Sequence, residues 1–109
     1  PNPAFAPMGP YNWFDGDGML HAVYLDEGRA RYRNRYVDTL GLRREREAGR
    51  SVYGGINNVV ITEGDLFMAM GGPIKNVANT AFALHGGKRL ALGGTGQSGC
   101  ARRGHAWME

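Results

Sequence analysis

The sequence contains a single cysteine, Cys100, and it lacks any long run of apolar residues. One thiol excludes an internal disulfide and fits a reducing compartment. No apolar stretch approaches the roughly 18 residues that a membrane-spanning helix needs, and no basic-then-apolar signal segment opens the chain. We therefore expect a cytoplasmic protein.

Proline is scarce beyond the first ten residues, which hold four of the five prolines. Residues 1–18 are therefore predicted to be an extended lead-in that ends in the turn-forming sequence Asp15-Gly16-Asp17-Gly18. Glycine, in contrast, is abundant, with 18 residues in a chain of 109. This density favours many tight turns and hence an all-β chain.

The size and charge of the chain set further bounds. A length of 109 residues allows one small domain or a part of a larger one. The net charge is only +3, so the basic excess is a weak indication of an anionic partner. Pro1 stands where an initiator methionine would be expected, which favours a start inside a longer reading frame or after processing.

Two β-hairpins are predicted. Residues 20–25 and 29–37 flank a loop at 26–28. Residues 80–84 and 88–92 flank His85-Gly86-Gly87, whose glycines can adopt the positive φ that the turn needs. From residue 93 onward the apolar pattern is lost.

One strand of the first hairpin carries a ladder of arginines. Period two places them on one face, and the face with Tyr32 and Tyr36 is expected to pack. Basic groups neutralise phosphates and aromatic rings stack on bases, so this face is a candidate for RNA binding. The simpler interpretation, a solvated strand face with acidic neighbours, is favoured. The ladder consists of Arg29, Arg31, Arg33 and Arg35.

A short helix is predicted at residues 39–50. Thr39 is the expected N-cap, Leu40, Leu42 and Ala48 form a thin apolar stripe, and Gly49 lies near the end. No structure is assigned to the β-branched segment at 59–62 or to the methionine-rich residues 64–73.

Three other patterns resemble ligand sites weakly. Residues 94–99 (GTGQSG) match the phosphate-binding G-x-G-x-x-G pattern, but the chain ends before the helix and second strand that this site requires. The DGDG sequence has Met19 where a calcium loop needs an oxygen ligand, so it is better explained as a turn. His21, His85 and His105 share no short metal-binding spacing. We therefore assign no catalytic, cofactor-binding or metal-binding residue.

The chain resembles the carotenoid oxygenase family, which includes carotenoid and apocarotenoid cleavage dioxygenases and lignostilbene dioxygenases. The most specific segment is residues 9–21, although a histidine is common at the position of Asn12. The resemblance covers residues 1–92, in family order. Its segments are 9–21 (GPYNWFDGDGMLH), 28–37 (GRARYRNRYV), 48–55 (AGRSVYGG), 75–80 (KNVANT) and 85–92 (HGGKRLAL).

The resemblance implies a seven-bladed β-propeller, of which this chain would form the first blades with one short helical excursion. It also implies cleavage of a conjugated carbon–carbon double bond of a carotenoid, apocarotenoid or stilbene, with O2 and Fe(II). The four iron-binding histidines and the glutamates that orient them would lie beyond Leu92. This chain would then bind no iron and be inactive alone. Membrane contact would come from absent segments, and no nucleic acid is expected.

Residues 93–109 depart from the family. Its Leu-Trp-Glu-Gly-Gly run is missing, because Leu92 is followed by Gly93-Gly94. Codon degeneracy permits Trp-Glu-Gly in a shifted frame, so we hypothesise that this Gly-rich tail is a frameshifted translation. Two other functions stay open, a basic β-domain that binds RNA through the arginine face and a structural or interaction module.

Overall fold

The computed structural model describes residues 2–58 and 74–93, together with the backbone of 99–101. The segments at 59–62 and 64–73, and most of the tail, lie outside the described residues. The described part is mostly β with one helix, as the sequence predicts. In chain order it contains a 3-10 turn at Trp13–Asp15, strands β1 (Met19–Asp26) and β2 (Arg29–Tyr36), helix α1 (Leu40–Ala48), and strands β3 (Ala81–His85), β4 (Lys88–Leu92) and β5 (Gly99–Ala101).

The first sheet is the antiparallel hairpin β1–β2. Its register runs from Met19 opposite Tyr36 to Asp26 opposite Arg29. The connection is a two-residue turn in which Glu27 and Gly28 have φ of 45° and 76°. Two successive positive φ values match the right-handed twist of the flanking strands. The predicted hairpin is therefore confirmed, with a loop one residue shorter than expected.

The second sheet contains three strands in the order β3–β4–β5. Gly86 and Gly87 connect β3 to β4 with φ of 54° and 71°, which confirms the predicted glycine turn. Strand β5 pairs antiparallel with β4 and places Cys100 opposite Leu90. The loss of the apolar pattern after residue 92 gave no sign of this strand. Backbone groups alone can make such a pairing, so it needs no side-chain period.

Helix α1 begins and ends where the sequence predicts. The Thr39 hydroxyl accepts a hydrogen bond from the Leu42 amide at 3.1 Å, and Gly49 closes the helix with φ of 69°. The predicted apolar stripe is wrong in part. Leu42 is fully buried, but Leu40 and Ala48 are exposed, because the buried side of the helix consists of Gly41, Leu42 and Glu45. In the part of the chain that the structure describes, no helix is long and apolar enough to cross a membrane.

The expectation that the tyrosine face of β2 packs is wrong for this chain. Tyr32 is 56% exposed, and Tyr36, at the end of the strand, is only half-buried. The physical reason is that no second layer of the described residues covers this face. The hairpin instead contacts the core through Leu20, which lies on the arginine-bearing face.

A small core at the junction of the first hairpin with the segment before β3 is formed by Val37, Ala78 and Ala91. Gly18 lies at this junction, since its amide donates to the Val77 carbonyl at 2.8 Å. A Cβ at Gly18 would lie 2.3 Å from the Ala78 carbonyl oxygen, so only glycine permits this close approach. The junction therefore depends on backbone contact more than on side-chain volume.

The core formed by the described residues is small. Among them, the buried apolar residues are Val37, Leu42, Tyr53, Val77, Ala78 and Ala91. Ordering a chain of this size costs on the order of 100–200 kcal/mol of conformational entropy. A two-stranded hairpin is at best marginally stable in water without further packing.

We therefore predict that the 109-residue chain alone shows no cooperative thermal unfolding. The measurement is differential scanning calorimetry with far-UV circular dichroism over the same temperature range. A broad, non-cooperative loss of signal and a tendency to aggregate are expected. A single sharp transition with matching calorimetric and van't Hoff enthalpies would show that this core suffices.

Candidate functional site

Three charged side chains meet in the interior. The Lys75 ammonium pairs with a carboxylate oxygen of Asp17 and lies 2.5 Å from Glu45 Oε2. The three residues are between 2% and 9% exposed. They come from three separate segments, the lead-in before β1, the middle of α1 and the segment before β3. We call these residues the Lys75 cluster.

The carboxylates of the Lys75 cluster are also held by backbone groups. Asp17 Oδ2 accepts a hydrogen bond from the Ala4 amide at 3.0 Å, while its Oδ1 is engaged by the Lys75 ammonium alone. Glu45 Oε1 accepts from the Val52 amide at 3.2 Å. Charge-assisted hydrogen bonds of this kind offset part of the cost of removing the carboxylates from water.

Gly41 makes room for the lysine stem. A Cβ at this first-turn position of α1 would lie 2.7 Å from Lys75 Cγ. The glycine costs helix stability relative to alanine, by about 1 kcal/mol. It nevertheless allows the lysine to pass the helix and reach Glu45. The helix sequence is therefore adapted to this buried ion pair.

Tyr53 lies beside the Lys75 cluster and is buried. Burial raises the pKa of its phenol above the ordinary value of 10.0, and the negative charge of Glu45 raises it further. Arg44 acts in the opposite direction. The neutral phenol is thus favoured in the folded chain.

The 3-10 turn at Trp13–Asp15 carries two exposed aromatic rings. Trp13 is 83% exposed and Phe14 is 72% exposed. The turn is nevertheless held firmly, since the Asn12 side chain accepts from the Phe14 amide at 3.0 Å and Asp15 Oδ2 accepts from the Asn12 amide at 3.3 Å. Asn79 Nδ2 donates to the Phe14 carbonyl at 2.9 Å. The two rings are therefore presented on an ordered support.

A cavity of about 210 Å³ lies between the lead-in, the aromatic turn and the Lys75 cluster. Its walls are largely apolar, with Phe5, Met8 and Phe14 among them, and its polar lining includes Asp15 and Tyr53. All three members of the Lys75 cluster also line it. Its chemistry is that of an apolar pocket above a buried ion cluster.

The aspartates and histidines considered as metal ligands in the sequence analysis are not brought together. Asp17 belongs to the Lys75 cluster, and Asp15 Oδ1 accepts from the Ile56 amide at 2.9 Å. His21 lies on β1 and hydrogen-bonds to the Tyr32 hydroxyl at 2.5 Å, whereas His85 ends β3. Among the described residues, no group of three His, Cys, Asp or Glu side chains is placed to hold a metal ion. His105 lies outside them.

The four arginines of β2 share one face, as predicted, opposite Leu20, Ala22, Tyr24 and Asp26 of β1. Arg31 lies over the Tyr24 ring at 5.2 Å, a cation–π contact within the hairpin. Tyr32 and Tyr36 lie on the other face, so they are not available to stack on bases bound to the arginines. Asp38 pairs with Arg43 and Arg46 of α1.

The glycine-rich segment at 94–98 lies outside the described residues, but Gly99, its last glycine, is the first residue of strand β5. A phosphate-binding loop of this type requires a helix to begin there, so that backbone amides point at the phosphate. Because a strand and not a helix begins at Gly99, this requirement is not met, and the nucleotide-binding interpretation is wrong.

Sequence reasoning missed the Lys75 cluster. Glu45 follows Leu42 by three residues, which places both on one face of α1. A carboxylate on a buried helix face needs a cationic or hydrogen-bonding partner. The position of Glu45 beside Leu42 was therefore the signal in the sequence that could have indicated a buried ion pair. The identity of that partner carries no local signal, because Lys75 lies 30 residues away in the sequence.

Comparison with known proteins gives consistent matches. The family described as Retinal pigment epithelial membrane protein (RPE65) matches residues 1–98. The carotenoid 9,10(9',10')-cleavage dioxygenase 1 of Phaseolus vulgaris is 38% identical over 106 residues, covering 84% of this chain and 19% of the relative. The lignostilbene-alpha,beta-dioxygenase isozyme III of Sphingomonas paucimobilis is 32% identical over 80 residues, covering 73% of this chain and 16% of the relative.

A solved structure agrees with these sequence matches. The lignostilbene dioxygenase of Pseudomonas brassicacearum is 36% identical, with a TM-score of 0.65, and the match covers 84% of this chain and 18% of that one. The fold of the matched residues is thus similar to that of a segment of this dioxygenase. The chain belongs to the carotenoid oxygenase family. It spans about a fifth of the length of the P. vulgaris relative.

Replacing Lys75 with methionine is expected to loosen the interior. Two buried carboxylates would lose their common counter-charge, and removing one partner of a buried ion pair typically costs about 3–5 kcal/mol. We expect limited proteolysis within α1 to accelerate about tenfold or more. Arg44→Met is the matched control, since the Arg44–Glu47 pair is exposed and such pairs contribute little. If Lys75→Met and Arg44→Met were cleaved within α1 at the same rate, Lys75 would not hold these segments together.

The raised pKa of Tyr53 predicts a distinct alkaline titration. A spectrophotometric titration of the five tyrosines should contain one phenol that ionises above about pH 10. Any stability that this shift contributes is present below the unfolded pKa and is lost as the pH rises through the folded pKa. Tyr53→Phe should remove the high-pH component, and Glu45→Gln should lower its pKa. Persistence of the component in Tyr53→Phe would refute the assignment.

Proposed function

We propose that this chain is the N-terminal part of a non-heme Fe(II) dioxygenase that cleaves a conjugated carbon–carbon double bond with O2. The observation that carries the proposal is the family match over residues 1–98 together with the structural match to a lignostilbene dioxygenase. In the proposed reaction each carbon of the cleaved double bond becomes a carbonyl and takes one oxygen atom of O2. The substrate class is a carotenoid, apocarotenoid or stilbene, following the names of the relatives.

The fold of the proposed enzyme is a seven-bladed β-propeller, and this chain supplies its first blades. The antiparallel hairpins β1–β2 and β3–β4 are units from which propeller blades are built. Each hairpin leaves apolar side chains exposed, among them Leu25 on β1 and Leu84 on β3. Incomplete sheets with open apolar faces are what a segment of a larger repeating fold would present.

The described residues do not fit an iron site, because they bring no three metal-ligating side chains together. We therefore derive no catalytic step from them. In the proposed enzyme this segment has a structural role, in which the Lys75 cluster joins the lead-in and α1 to the second sheet. The iron ligands would come from other parts of the polypeptide.

The tail after Leu92 is part of the same proposal. We propose that residues 93–109 are read from a shifted frame, since Gly93-Gly94 stands where the family has Trp-Glu. Strand β5 is compatible with a shifted frame, because its pairing with β4 uses backbone groups that any sequence provides. The nucleotide sequence around codon 92 decides the matter.

The test begins with sequencing the encoding DNA through codon 92 and several hundred bases beyond. We expect a shifted frame that continues with Trp-Glu-Gly-Gly and later histidines. The protein from that restored frame should bind ferrous iron and convert a stilbene or apocarotenoid into two carbonyl products, measured by chromatography with and without O2. The 109-residue chain is the control and should do neither. Absence of such a frame, or a restored protein inert towards all these substrates, would overturn the proposal.

A further inference from the structure

The cavity beside the Lys75 cluster carries an excess of negative charge. Its charged lining consists of Asp15 and the three members of the Lys75 cluster. Three carboxylates are therefore opposed by one ammonium, which leaves two negative charges in excess. The described residues that line the cavity include no arginine and no second lysine. Because low-dielectric walls concentrate the field of such charges within a cleft, the cavity favours a cation over an anion.

The carboxylates of this lining supply charge but few free hydrogen-bond acceptors. Asp15 accepts from the Ile56 amide at 2.9 Å and from the Asn12 amide at 3.3 Å. In the Lys75 cluster, one oxygen of each carboxylate contacts the shared ammonium and the other accepts from a backbone amide. A cation with N–H donors would have to compete for these engaged oxygens, whereas a cation without donors needs no acceptor.

Aromatic side chains of the described residues line the same cavity from its interior to its opening. Tyr53 is only 5% exposed, whereas Phe14 is 72% exposed. The faces of aromatic rings attract cations within about 6 Å, and several rings together bind quaternary ammonium ligands in proteins. A quaternary ammonium ion is also a cation without N–H donors. The aromatic lining consists of Phe5, Tyr11, Phe14 and Tyr53.

The volume of the cavity, about 210 Å³, sets the size of the ligand. An apolar cavity of about 150 Å³ holds one benzene molecule, and sites for drug-sized ligands measure about 300–1,000 Å³. A trimethylammonium group, which is similar in bulk to a benzene ring, therefore fits together with a short substituent. A carotenoid is too long for this space.

We propose that this cavity is a binding site for a small quaternary ammonium ion. The aromatic rings contact its methyl groups, and the excess carboxylate charge stabilises its positive charge without hydrogen bonds. A metal ion does not fit the same place, because the described residues bring no three metal-ligating side chains together. The proposal goes beyond the proposed function, since it assigns to this segment a ligand that cleavage of a double bond does not use.

The test compares choline with 3,3-dimethylbutan-1-ol, a neutral molecule of the same shape in which carbon replaces nitrogen. Binding of each to the 109-residue chain is measured by ligand-observed NMR titration at one fixed, low ionic strength. If only a fraction of the chain is folded, that fraction weakens both apparent affinities equally, so their ratio is unaffected. We expect saturable binding of choline that is at least tenfold tighter than binding of the alcohol.

Two pairs of variants locate the bound ion. Asp15→Asn removes a negative charge from the cavity, and Asp38→Asn removes one from the exposed pair with Arg43. Phe5→Leu removes a ring from the cavity, and Phe82→Leu removes one from β3. The ratio of the two affinities should fall by about threefold or more in each cavity variant and stay unchanged in each control. Phe5→Leu is the independent variant, because Asp15 also holds the aromatic turn.

Four results would overturn the proposal. The first is the absence of saturable choline binding to the unmodified chain. The second is equal affinity for choline and the alcohol, since the cavity would then be an ordinary apolar one. The third is an equal fall of the ratio in the cavity variants and their controls. The fourth is tighter binding of methylammonium than of choline, which would assign the site to primary amines.

Discussion

The buried ammonium of Lys75 is the interaction on which the rest of this structure depends. It draws together the lead-in through Asp17 and helix α1 through Glu45, 30 residues away. Gly18, next to Asp17, then meets the backbone of Val77 and Ala78, and Val37 and Ala91 close the small core around this contact. Because apolar burial here is slight, an uncompensated carboxylate at this junction would cost a large share of the available stability.

The Lys75 cluster fastens segments, but it does not cover the sheets. Apolar side chains on both sheets stay exposed, such as Leu25 on β1 and Phe82 and Leu84 on β3. An ion cluster connects segments at one position, whereas a sheet face is buried only when a second layer packs along its length. Within the described residues the sheets are thus connected by the Lys75 cluster but are not covered by a second layer. This agrees with a chain that spans about a fifth of the length of a family relative.

Local features were predictable from the sequence, and long-range ones were not. The two hairpin turns and the caps Thr39 and Gly49 follow from φ preferences and single hydrogen bonds, which short segments encode. The Lys75 cluster could not be predicted because its members are distant in sequence. The packing of the Tyr32 face was predicted wrongly, since alternation shows that two faces differ but not which one a neighbour covers. Strand β5 was missed because its pairing needs no apolar period.

The arginine-bearing face of the hairpin is partly covered along its length, since Leu20, Ala22 and Tyr24 are half-buried. Near the core, Leu20 of the arginine-bearing face packs inward while its partner Arg35 stays exposed at the edge. Farther along, Tyr24 lies beneath Arg31, so that face is covered by its own side chains. On the other face Val23 and Leu25 are 63% and 82% exposed, although His21 and Tyr32 stack on that same face. Because the four arginines of β2 lie on the opposite face, a layer that covered Val23 and Leu25 would bury none of their guanidinium groups.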